Sequence, residues 1–266
     1  MIDHGKRNVI GILVNAVDYE AAVEVITTAA IERRSFPVSC AAVHTIMEGA
    51  LDEEQKYRMN RLGMVLPDGM PVRWALNILH GTKLLDRVYG TTLLLQVLAR
   101  AQQEGLGVYF YGNTPDALHL LRRNLQQRFP SLRVCGMDPS QFRRLSAREK
   151  NAVAQRIRDS GTSLLFIGLG TPLQETWAYE YAEVLPMPIL CVGGSFNVLA
   201  GRAAQAPSWM QARGLEWLFR LTHEPRRLWR RYLLLNPLYA WMVIRQKLGQ
   251  SMPTDGRRPT SEMYYG

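Results

Sequence analysis

The sequence predicts an α/β fold, a Rossmann-like and mostly parallel sheet with helices on both faces, followed by a basic helical segment. Three observations lead there. Short apolar runs end in glycine-bearing turns and are followed by stretches of helical composition, and this alternation repeats as far as about residue 192. Parallel strands joined by helical crossovers produce that pattern. Beyond Gln211 the composition changes to helix rich in Arg, Trp and Tyr. Finally, 47% hydrophobic and 21% charged residues over 266 positions suit a buried core and argue against disorder.

The elements read in order. Val9–Val14 is β-rich, and Asp18-Tyr19-Glu20 opens a helix over Ala21–Arg33. Phe36–Val43 is a strand, His44–Asn60 a helix, and Met64–Leu66 a short strand stopped at Pro67-Asp68-Gly69. Val72–Leu79 and Thr91–Glu104 are helical, and Val108–Tyr111 is a strand ended by Gly112-Asn113. An amphipathic helix over Pro115–Phe129 precedes a strand at Arg133–Cys135 and a helix at Ala147–Ser160. The strand Ser163–Ile167 stops at Gly168-Leu169-Gly170-Thr171-Pro172, and a helix follows over Gln174–Glu183. Ile189–Val192 is the last core strand, ending in Gly193-Gly194. The division expected is an α/β catalytic domain over 1–212, a basic amphipathic helical appendage over 213–247 and a flexible tail over 248–266.

Several classes are disfavoured. Cys40, Cys135 and Cys191 are scattered and odd in number, which makes neither a disulfide framework nor a zinc site and fits a reducing compartment. The five histidines show no ligand spacing, so no metal site is expected. The first fifteen residues read as a strand rather than a signal peptide, and no run reaches the ~20 apolar residues that span a bilayer. The charge is uneven. Residues 213–247 hold eight Lys or Arg against Glu216 and Glu224, which is +6 of the chain's net +9. That segment should meet something anionic.

In open α/β sheets, ligands bind beyond the carboxyl ends of the strands. Four turns lie there: Pro67-Asp68-Gly69, Gly112-Asn113-Thr114, Gly168–Glu175 and Gly193–Asn197. Glycines in the Gly168–Gly170 turn would let backbone N–H groups approach a phosphate, although a ligand-free strand–helix turn reads equally well. It is neither a GxGxxG dinucleotide loop nor a Walker loop. Asp68 suits a general base and also an ordinary turn aspartate. Gln174-Glu175 opens a helix, where Glu already suits the dipole. In Gly214–Trp241, Arg220, Arg227, Arg230 and Arg231 recur at helical spacing with Trp217, Leu221, Leu228 and Tyr232 between them. Such a helix suits an anionic lipid interface, RNA phosphates or an ordinary basic surface, and the aromatic density favours the interface.

The stretches VLPDGMPVRWA, DRVYG, FIGLGTPLQETW and GRAAQAPSWMQARGLEWLFRLTHEPRRLWRRYL together resemble the WecG/TagA/CpsF family of bacterial glycosyltransferases, over about residues 38 to 235. The resemblance implies a UDP-sugar donor, an undecaprenyl-diphosphate-linked acceptor, inversion at the anomeric carbon and no metal or other cofactor. It implies Asp68 as catalytic base. It places Cys40, Ala42, Arg87, Gly90, Gly168, Gly170, Gln174, Gly193, Gly194 and Asn197 at the substrates. Arg220, Arg227, Arg230 and Arg231 would meet the membrane or the diphosphate. Three departures stand out: Cys40 and Ala42 replace the family's Thr-x-Asn, Thr92 replaces an acid, and Asn197 replaces an Asp. They leave altered specificity and lost activity both open.

The expected protein is therefore a glycosyltransferase of polysaccharide biosynthesis, peripheral on the inner face of a bacterial plasma membrane. It would bind no nucleic acid, and a homo-oligomer is compatible with the sequence. One rival is a nicotinamide-binding Rossmann enzyme, which the missing third glycine and ribose-binding acid count against. The other is a membrane- or nucleotide-binding relative without activity.

Overall fold

The computed structural model describes the backbone of residues 1–266, and the side chains of Arg227 and Arg231 lie outside the described residues. The chain opens with an antiparallel hairpin, β1 (Asp3–Val9) and β2 (Ile12–Val17). Its two-residue loop, Ile10-Gly11, has positive φ at both positions, the geometry that a tight hairpin requires. The single strand expected over Val9–Val14 is therefore two. Ile-Gly lacks the Asn-Gly signature that announces such a turn. Asp18 then caps α1 (Tyr19–Ile31) by accepting from the Ala21 N–H.

Next come β3 (Phe36–Ala41), α2 (Val43–Leu51) and α3 (Glu53–Asn60). One helix was expected over 44–60. It is broken because Asp52 turns its carboxylate onto the Glu54 and Gln55 N–H groups and starts α3 anew. The rest of the α/β part is β4 (Met64–Pro67), α4 (Met70–His80), α5 (Gly90–Gln103), β5 (Val108–Gly112), α6 (Pro115–Arg128), β6 (Val134–Asp138), α7 (Ala147–Asp159), β7 (Leu164–Gly168), α8 (Leu173–Tyr181), β8 (Pro188–Cys191) and α9 (Ser195–Leu199).

Six strands form one parallel sheet in the order β4-β3-β8-β7-β5-β6. Five of the strands are buried on both faces, so alternate residues feed cores on either side of the sheet, and the edge strand β6 is half-buried. Val108 and Phe110 of β5, with Phe166 and Leu190, pack under α1, α5, α6 and α9. Tyr109 and Tyr111, with Leu165, Ile167 and Ile189, pack under α7 and α8. A third cluster joins Ala41 and Val65 to the hairpin, α2 and α4. Burying each Val, Leu, Ile or Phe among them contributes about 1.5–3 kcal/mol.

The C-terminal part runs through α10 (Ser208–Ala212), α11 (Glu216–His223), α12 (Pro225–Arg230) and α13 (Asn236–Lys247). Between α12 and α13 the helix widens into a π-type turn at Arg231–Leu235. Pro237, which has no N–H to return, follows that turn. α13 does not stand apart: Tyr239 and Val243 are buried in the third cluster, and Gln246 accepts from Ile10 N–H and donates to the Asn8 carbonyl. The tail expected to be flexible is hydrogen-bonded along its length. Asn60 Nδ2 donates to the Thr254 carbonyl, Arg257 N–H donates to the Glu53 carbonyl, and the Glu180 carboxylate accepts from Met263 and Tyr264 N–H groups. These partners are long-range and could not be read from the tail's polar composition. Among the described residues no helix is long and apolar enough to cross a membrane.

Candidate active site

The sheet brings the ends of β4, β3 and β8 side by side. Ala41 pairs with Pro67, so Ala42 and Asp68 emerge together, and the Asp68 N–H donates to the Ala41 carbonyl at 3.2 Å. Ser39 pairs with Cys191, which brings the Gly193-Gly194 turn to the same edge. Gly90 opens α5 against this point. Its N–H donates to Asp68 Oδ1 at 2.9 Å, so the carboxylate caps the positive end of a fourteen-residue helix. A side chain at Gly90 would put a Cβ 3.3 Å from that of Cys40, which lies beneath.

Two arginines lie near Asp68 and act on its charge. Arg87, 7% exposed, comes from the segment before α5, and its guanidinium lies over the Tyr89 ring at 4.6 Å. Arg220 comes from α11. Between them stands Glu216: Arg87 donates to Oε2 at 2.6 Å and Arg220 to Oε1 at 2.5 Å. The turn into α11 passes Trp74 closely through Gly214, at φ +71°, where a Cβ would come within 2.9 Å of the indole.

The charges act on one another. Burial pushes the Asp68 carboxyl up to about 6, against the pull of Arg87, the Gly90 N–H and Arg220, while Glu216 adds to the push. Burial works against the Arg87 charge, but Glu216 and Asp68 outweigh it and hold its pKa above the ordinary value. Burial, then the Asp68 and Glu175 carboxylates, push the Cys40 thiol well up, so it is neutral and inert as a nucleophile. Asp68 is thus an anion at neutral pH, yet destabilised enough to take a proton readily.

Two clefts meet at Asp68, sharing it with Tyr89, Glu216, Arg220 and Tyr232. The first is walled by Ala42, His44, Met70, Pro71, Trp217 and Leu235. The second is walled by Thr91, Gly194, Ser195, Asn197 and Gln205. Among the described residues no group of three or more His, Cys, Asp or Glu side chains could hold a metal ion.

Of the residues expected at the site, Asp68, Cys40, Ala42, Arg87, Gly90 and Arg220 converge, and Gly194 and Asn197 line the second cleft. Asn197 Oδ1 accepts from Asn113 Nδ2 at 3.0 Å, tying the β8 and β5 turns together. Gln174 is 3% exposed and donates to Glu175 Oε1, which also accepts from Ser39 and Thr171. Gln174 sits against Gly193. Gly168 packs on Phe196, and Gly170 takes φ +80°. These four positions shape the turns around the clefts rather than line them. Arg230 is exposed, its guanidinium 5.2 Å from the Trp229 ring. The expectations for Arg227 and Arg231 fall on side chains outside the described residues. Glu216 and Tyr89 were not foreseen, whereas His44, close to Ala42 in sequence, lines the first cleft. The available signal was Glu216 itself, an acid four residues before Arg220 within a basic segment.

Residues 7–253 match the profile of the glycosyl transferase WecG/TagA/CpsF family. The chain belongs to this family. Two relatives carry the name N-acetylglucosaminyldiphosphoundecaprenol N-acetyl-beta-D-mannosaminyltransferase. The one from Bacillus subtilis (strain 168) is 28% identical over 184 residues, 69% of each chain. The one from Bacillus spizizenii (strain W23) is 30% identical over 190 residues, 71% of each chain. As a member of the WecG/TagA/CpsF family the protein is a glycosyltransferase. The family match runs across the sheet, both clefts and all the C-terminal helices.

Proposed function

We propose that this glycosyltransferase moves a sugar from a UDP-sugar to the terminal sugar of an undecaprenyl-diphosphate-linked acceptor, with inversion and without a metal. The observation that carries the reading is the Asp68 carboxylate, raised to about 6 and placed where two clefts meet beside two arginines. In this reading the donor takes the cleft at Gly194, Ser195 and Asn197, at the carboxyl end of β8. The acceptor takes the cleft walled by Met70, Pro71, Trp217 and Leu235, whose apolar surface suits a lipid-linked sugar. Asp68 accepts the proton of the attacking hydroxyl as that oxygen bonds to the anomeric carbon. The bond from that carbon to the diphosphate oxygen breaks on the opposite side. The charge appearing on the diphosphate is met by the Arg87 and Arg220 guanidiniums. The relatives' names, which specify an N-acetylmannosaminyl group and an N-acetylglucosaminyl-diphosphoundecaprenol acceptor, support this substrate class.

The C-terminal helices also suit a membrane surface. Trp209, Trp229, Leu233, Leu234 and Trp241 are each about half exposed or more, among basic residues that include Arg213, Arg226 and Arg230. Aromatic and leucine bodies with cationic heads suit the interface of an anionic leaflet, which is where the acceptor's diphosphate would lie. The test of the donor class is thermal protection by a panel of UDP-sugars. A ligand at a hundred times its Kd stabilises by about 2.7 kcal/mol. At least one UDP-N-acetylhexosamine should raise Tm, and none should do so after UDP alone has saturated the site. Protection by nicotinamide dinucleotides instead would reject the reading.

A further inference from the structure

We propose that Glu216 is a positioning residue for the transfer reaction: one carboxylate clamps Arg87 and Arg220 beside Asp68 and keeps their combined charge from weakening it as a base. This rests on Asp68 acting as the base. The geometry is specific. Glu216 gives one oxygen to each guanidinium, at 2.6 and 2.5 Å, and is 8% exposed. Arg87 belongs to the α/β part, whereas Glu216 and Arg220 belong to α11. The clamp therefore fixes α11 over the site and sets the charge there in one stroke. Without Glu216, two cations would face a single carboxylate in a partly buried cleft. They would hold that carboxylate ionised and resist its protonation. With Glu216 present, both guanidiniums keep a fixed partner and fixed directions, and the triad carries one net positive charge rather than two.

Other ionisable groups lie nearby: Glu224 also lines the second cleft, and Glu175 is bonded to Ser39, Thr171 and Gln174. Cys40 from β3 and Tyr19 from α1 both have pKa values raised by burial first, so they are neutral near pH 7. His44 from α2 pairs with Glu48 at 3.3 Å. Tyr89 stacks with Arg87, and Tyr232 lines both clefts. Among these neighbours Glu216 is the acid bonded to the two arginines, and it is one of the influences that raise Asp68.

The test is a carbon-13 NMR titration of the full-length protein, with aspartate labelled at its side-chain carboxyl and the Asp68 signal assigned by Asp68→Asn. Wild type should titrate at about 6. In Glu216→Gln, isosteric but neutral, the midpoint should fall, and the acid limb of kcat/KM should move to lower pH with it while kcat drops more than KM rises. Glu216→Asp keeps the charge and should return the midpoint towards wild type. Arg220→Gln leaves the Glu216–Arg87 pair in place and should move the midpoint upwards, so the idea stays testable if the Glu216→Gln protein does not fold. An Asp68 midpoint unmoved by Glu216→Gln, or by Arg220→Gln where the first variant is unfolded, would overturn the proposal and leave Glu216 a mechanical strut. The titration needs no substrate. Absence of transfer by wild type would defeat the proposed function while leaving this result readable.

Discussion

Replacing Asp68 by Asn should cost the protein its activity and add to its stability. Raising a carboxyl from 3.8 to about 6 means that the folded state disfavours the anion by about two pKa steps. At about 1.36 kcal/mol each, that is roughly 3 kcal/mol, reduced to about 2 because the carboxyl is only partly buried and faces the cleft. Asn resembles the protonated acid and escapes this cost. The folded pKa lies above the unfolded one, so the wild-type penalty is full above about 6 and vanishes below 3.8. Asp68→Asn should therefore raise Tm by about 4–8 °C at pH 7.5, and the gain should shrink as pH falls towards 4. Transfer should fall by ~10²–10⁴, the usual loss with a general base. The assays are thermal unfolding at several pH values and transfer at saturating substrates. A variant that is no more stable than wild type at pH 7.5, or that transfers normally, would refute the account of Asp68.

Other perturbations separate the remaining parts. Ala42 is the N-cap of α2 and offers no side-chain acceptor, so Ala42→Asn should add about 1 kcal/mol of stability by capping. Because Ala42 also lines the first cleft, the new amide should lower kcat/KM about tenfold for the natural acceptor; a rise would mean a weakened site that lacked its amide. Serine at Trp229, Leu233 and Leu234 together should abolish co-sedimentation with anionic vesicles and leave Tm within about 2 °C, whereas truncation at Gln211 would strip Tyr239 and Val243 from the core and test folding instead. Deleting 259–266 should lower Tm, because Glu180 then loses the two backbone N–H groups that offset its burial.

The sheet was legible because each parallel strand is a short apolar run closed by a glycine turn, and such runs need no long-range information to recognise. The hairpin was not, since Ile10-Gly11 adopts two positive φ angles without the usual residues. Nor was the break at Asp52, which is decided by a side-chain cap rather than by periodicity. Asp68 could be placed at a strand end from Pro67 and Gly69 alone. Its partners could not, because Arg87 and Glu216 are separated by 129 positions and meet only when α11 folds back. The tail's polar composition concealed its role for the same reason: its bonds go to Asn60, Glu53 and Glu180, far away in sequence.

The most direct test of the central claim follows a labelled sugar from UDP-N-acetylmannosamine to N-acetylglucosaminyl-diphospholipid in anionic vesicles, at pH 7.5, for wild type and Asp68→Asn side by side. Wild type should yield a lipid-linked disaccharide with a β linkage and release one UDP per sugar transferred, and the variant at least a hundredfold less. Transfer undiminished in Asp68→Asn, or release of UDP without extension of the lipid, would contradict that claim.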